Sequence, residues 1–112
     1  MKCRQFNFYV DLNELPLLMT AVEDHVIPRH TVLPDFLGLT VIKVDVGPRA
    51  EVIITSFWED GLEGSEQDAS RFIDEIVRVT GRNPSRKVFD IMYAKVRDST
   101  GAFRLGSAAL ET

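Results

Sequence analysis

The chain has 112 residues, enough for one domain with a real core and too few for two. Hydrophobic residues make up 45% and charged residues 27%, and the formal net charge is −4; with Lys and Arg scattered, that argues against a nucleic-acid partner, which needs concentrated positive surface. The single cysteine, Cys3, excludes an intrachain disulfide and a cysteine-rich zinc site, and is expected to be a structural thiol.

Residues 4–10 (RQFNFYV) set Phe6 and Phe8 on one side of a strand and Asn7 and Tyr9 on the other. Asn13 then reads as a helix cap, with Pro16 tolerated in the first turn. Leu15, Leu18, Met19, Val22 and Val26 recur at helical spacing and predict a helix over 14–27, stopped by Pro28. A connector with a second proline, Pro34, leads to a strand over 36–46, in which Gly38 marks a bulge or a close backbone approach.

The Gly47-Pro48 pair predicts a hairpin turn into a third strand over 50–58. After an acidic, glycine-bearing loop, Ser65 and Asp68 have capping-box spacing. Ala69, Phe72, Ile73, Ile76 and Val77 form the clearest apolar stripe in the chain, a helix over 66–80 ended by Gly81. Residues 86–97 read as a long last strand. The domain is expected to span 1–98, followed by a small, polar tail over 99–112 that either stays flexible or packs across a partner.

The order strand, helix, strand, strand, helix, strand predicts an α+β, ferredoxin-like βαββαβ domain with an antiparallel sheet and both helices on one face. Every long strand keeps apolar side chains on both sides, so the helix-free face is expected to be covered by a second copy, a homodimer.

Four stretches then carry a resemblance: LPDFLG at 33–38, AEVIITSFWED at 50–60, SEQDASRF at 65–72 and VFDIMY at 88–93. In this order and spacing they resemble the antibiotic biosynthesis monooxygenase-like domains of the dimeric α+β barrel superfamily, over about residues 6–96. The resemblance implies a dimeric α+β barrel. It also implies membership of a group that holds cofactor-independent oxygenases, haem degraders and proteins of no known activity. Haem-degrading members use an Asn on the first strand, a Trp ending the third and a His on the second helix; Asn7 and Trp58 match the first two, and residues 59–80 contain no histidine. No cofactor and no metal are therefore expected.

The candidate site residues are Asn7, Trp58, His25 and His30. Asn7 offers an amide donor and acceptor; Trp58 offers a flat surface and one N–H donor. His25 and His30 are the only histidines and can move protons near neutral pH. Their five-residue spacing across Pro28 is not that of a helix-borne metal pair. Arg71 is a candidate anion contact with a solvated face as its plainer role. The expected function is a cofactor-independent monooxygenase acting on an aromatic or polycyclic phenol-like molecule. The alternatives are a dimer that binds an apolar or aromatic small molecule without turnover, or one with a structural role. No apolar run approaches the roughly 20 residues of a membrane helix, and no signal-peptide apolar region follows Lys2 and Arg4, so a cytoplasmic protein with no membrane partner is expected.

Overall fold

The computed structural model describes residues 1–59, 62 and 65–93. In chain order the elements are β1 (Lys2–Asp11), a 3-10 turn (Leu12–Glu14), α1 (Leu15–Ala21), a π-helical stretch (Val22–Val26), α2 (Ile27–Thr31), β2 (Phe36–Val46), β3 (Arg49–Trp58), α3 (Glu66–Thr80) and β4 (Ser85–Asp90). The sheet order is β2-β3-β1-β4, with every neighbouring pair antiparallel. This is the expected ferredoxin-like topology. The expected barrel is corrected: the four strands form an open sheet, with β2 and β4 at opposite edges and no bonding between them.

Strand alternation assigns the two sheet faces. Phe6, Phe8 and Val10 of β1 and Ala50, Val52 and Ile54 of β3 point to the helices. They meet Leu18, Val22 and Val26 from the first helical arm and Ala69, Phe72 and Ile76 from α3. Each such large side chain removed from water contributes about 1.5–3 kcal/mol, the main favourable term holding the layers together.

The first helical arm differs from its expected form. Asn13 lies inside the 3-10 turn, and the Glu14 carboxylate accepts the Asp11 N–H instead. Pro28 does not end the helix; helical backbone continues to Thr31. Proline lacks an N–H and its ring collides with the carbonyl four residues back in a regular helix. The chain relieves this by widening over Val22–Val26, where the Ile27 N–H reaches the Val22 carbonyl five residues back.

The rest of the hairpin and α3 follows the residues closely. Gly47 has φ 60 and Pro48 follows, a combination that suits a tight type II′ hairpin turn. α3 begins after Ser65 and ends at Gly81, whose φ of 71 is left-handed. The capping box does not form: Ser65 makes no side-chain cap bond, because its hydroxyl is used elsewhere. β4 ends at Asp90, shorter than expected; the remainder of the expected strand beyond 93 and the tail over 99–112 lie outside the described residues.

The helix-free face carries exposed apolar side chains. Ile42, Val44 and Val46 of β2 are 58%, 55% and 52% exposed, and Tyr9 and Phe89 add to them. Cys3 shares this face and is buried opposite Phe57 and Phe89; burial pushes its thiol pKa up, as for an unreactive structural cysteine.

Candidate functional site

At one end of the helix-facing surface, four elements bring aromatic, basic and hydroxyl side chains together. β3 ends in Trp58, which pairs with Lys2 of β1 and Phe36 of β2. The register slips between Phe36 and Gly38, so Leu37 is an extra residue. That bulge reverses the alternation and sets Phe36 on the same face as Leu39 and Trp58. Phe36 and Trp58 then meet edge to face at 5.3 Å between centroids.

α2 lowers His30 onto these rings. Its imidazole lies 5.6 Å from Phe36, 5.7 Å from Trp58 and 6.5 Å from Phe72 of α3, centroid to centroid, and the residue is 2% exposed. His30 Nδ1 is 2.9 Å from the Val26 carbonyl, which can only accept, so Nδ1 carries the proton. Nε2 is then a lone-pair nitrogen, with no hydrogen bond among the described residues. Burial pulls the His30 pKa below its usual 6.5, outweighing the Val26 bond, so the ring is neutral at pH 7. Trp58 donates its Nε1–H to Ser56 Oγ at 2.8 Å, which fixes the indole plane.

The fourth component is Arg4 of β1. Alternation puts it on the face of Phe6 and Phe8, and it is wholly buried. Its Nη2 donates to Ser65 Oγ at 3.0 Å and Glu66 Oε1 at 2.9 Å, and its Cζ lies 5.8 Å from the Trp58 ring centroid, within cation–π range. Ser65 Oγ in turn donates to the Leu62 carbonyl. Glu66 also accepts from Arg86 Nη2 at 2.6 Å. The Arg86 hydrogen bond, with Arg4 behind it, holds the Glu66 carboxyl below the usual carboxylate range.

Of the four residues singled out in the sequence, the structure brings His30 and Trp58 together and separates the other two from them. Asn7 points to the helix-free face, where its Nδ2 donates to Glu51 Oε2 at 3.1 Å. There it lines a shallow pocket of about 150 Å³ with Gln5, Ser85, Lys87 and Phe89. His25 lies on the π-helical stretch and is exposed, as is Arg71 on α3. Arg4 was missed, although a signal existed: it is two residues before Phe6 in an alternating strand, so its side chain had to enter the same layer. A second cleft, of about 210 Å³ and mostly apolar, opens between α1 and the sheet, lined by Leu15, Met19, Val41, Ile42, Lys43 and Val52. Among the described residues no group of three or more His, Cys, Asp or Glu side chains could hold a metal ion, and no helix is long and apolar enough to cross a membrane.

The arrangement can accept a proton at His30, stack a planar ring near Trp58 and balance negative charge at Arg4. It belongs to a fold found among small-molecule monooxygenases. One solved structure with that fold is a monooxygenase from the ActVA-Orf6 gene of Streptomyces coelicolor, in complex with nanaomycin D. It superimposes with a TM-score of 0.63 at 12% identity, over 87% of this chain and 92% of that one. An ethyl tert-butyl ether D (EthD) family protein from Bacillus halodurans C-125 gives a TM-score of 0.57 at 9% identity, over 82% of this chain and 100% of that one. At these identities the likeness is one of fold. No protein-family model matches the sequence, and no match to a curated protein was found.

Proposed function

We propose that this protein binds an aromatic small molecule at the His30–Trp58 cluster and acts as a cofactor-independent monooxygenase on it. The observation that carries this reading is the neutral His30: its Nδ1–H is fixed on the Val26 carbonyl, leaving Nε2 to take a proton beside a flat indole. In the proposed reaction His30 removes a proton from an electron-rich phenol or its tautomer. The resulting anion gives its electrons to dioxygen and forms a hydroperoxide at a ring CH2 carbon. Loss of water then leaves a carbonyl: one oxygen atom enters the product, the other leaves as water, and the substrate supplies both electrons and both hydrogens. Trp58 orients the ring, and the low-polarity wall of Phe36 and Phe72 keeps water from the anion. The broad fold likeness to the nanaomycin-D-bound monooxygenase supports the same reading.

The test is oxygen uptake with a panel of polycyclic phenols. The wild type is expected to consume one dioxygen per substrate, and His30→Gln to lose about a hundredfold or more, the usual worth of a positioned base. No uptake across the panel by folded wild-type protein would remove the oxygenase. The mostly apolar cleft beneath α1 favours a second reading, binding without turnover. At about 210 Å³ it is smaller than the roughly 300–1,000 Å³ of ordinary ligand pockets, which ranks it second. We further propose that the helix-free sheet face, with its exposed Ile42, Val44 and Val46, pairs two copies of the chain.

A further inference from the structure

Arg4 is completely buried, yet among the described residues its Nε and Nη1 have no hydrogen-bond acceptor. Buried donors without partners are rare and cost about 1–3 kcal/mol each, more when charged. Its only carboxylate, Glu66, is shared with Arg86. One carboxylate between two guanidiniums leaves a positive charge in excess. A water molecule would satisfy an N–H but not that charge. Asp68, in the same turn of α3, bears on His30 rather than on Arg4. The N-terminus of α3 adds its own positive field here, and its N-cap residue, Ser65, spends its hydroxyl on Leu62 and Arg4 rather than on the helix N–H groups. The Trp58 ring, 5.8 Å from the Arg4 Cζ, supplies a flat apolar surface beside the unused charge.

We infer that the cluster takes a planar aromatic acid, its carboxylate on Arg4 and its ring against Trp58 and His30. The inference rests on the small-molecule reading of the same cluster and names the ligand's charge, which that reading leaves open. Charge-assisted bonds to a carboxylate are the stronger class, so the neutral analogue of the acid is the natural comparison.

Trp58 is the only tryptophan, so its emission reports on this place alone. The experiment titrates the full chain with benzoate and with benzamide, exciting at the red edge of tryptophan absorption. Benzoate is expected to shift the emission saturably and to bind at least about tenfold tighter than benzamide. Arg4→Met should abolish the preference. Arg86→Met, at the protein surface, should weaken benzoate in the same direction by a smaller factor, because Glu66 then neutralises Arg4 alone; it keeps the inference testable should Arg4→Met not fold. Equal binding of benzoate and benzamide, or benzoate binding untouched by both substitutions, would overturn the charge assignment. If neutral polycyclic phenols move Trp58 and benzoate does not, the acid is wrong and the small-molecule site stands. If nothing moves it, both fall.

Discussion

His30 and Trp58 come from opposite layers of the fold, α2 and the end of β3, and hold their rings 5.7 Å apart at a tilt of 51°. The imidazole is tied to the Val26 carbonyl and the indole to the Ser56 hydroxyl, so neither ring is free to turn away.

His30 makes stability depend on pH. Its folded pKa is depressed by burial, so the unfolded chain takes up a proton first. Stability is therefore expected to fall as pH drops through the usual value of 6.5 toward the lower folded value. The Glu66 and Glu75 carboxyls, also depressed, add acid sensitivity only below their usual 4.5. His30→Phe keeps a ring, loses the bond to Val26 at about 1 kcal/mol near neutral pH, and should flatten the decline near pH 6. Urea denaturation of both proteins across pH 5–8 checks this; an unchanged slope in the variant would show that another group is responsible.

Trp58 should report global unfolding. It is 1% exposed and packed on Phe36, so its native emission is expected to be blue-shifted and to move red in one step with the loss of helical circular dichroism. Trp58→Ala should cost about 3–5 kcal/mol, read from the denaturation midpoint.

Gly81 ends α3 in a left-handed conformation with open space around the position of an added Cβ. Gly81→Ala then meets backbone strain without a clash, and a loss of about 1 kcal/mol in thermal or urea unfolding is expected.

Val44 is the test of self-association. Its side chain projects from the helix-free face, so Val44→Lys should leave the fold intact and lower the mass measured by light scattering to that of one chain. If the wild type is already a single chain at micromolar concentration, the proposed pairing fails.

The topology was legible because its signals are local. The alternation in β1 and β3, the hairpin pair Gly47-Pro48 and the stripe from Ala69 to Val77 each sit within one element, and strand order follows from them. Gly38 rightly marked the bulge. Barrel closure was inferred by resemblance; the backbone bonding does not close the sheet on itself. The site was half legible. Trp58 ends its strand as read, but His30 was placed in a connector because a proline normally stops a helix. The widened turn that lets the helix pass Pro28 has no reliable sequence signature. Arg4 was overlooked because a charged side chain is rarely sealed in a core, a rule that fails where hydroxyl, carboxylate and indole partners gather round it.

The five-residue π-helical stretch also has an effect on rotational phase. Each residue of a helix turns the chain by about 100°, so deleting one residue from the segment 22–26 would swing everything after it by that angle. His30 would then leave the aromatic layer for solvent while the segment before it stayed seated. A homologue built with one residue fewer here would have to bring its proton carrier from somewhere else.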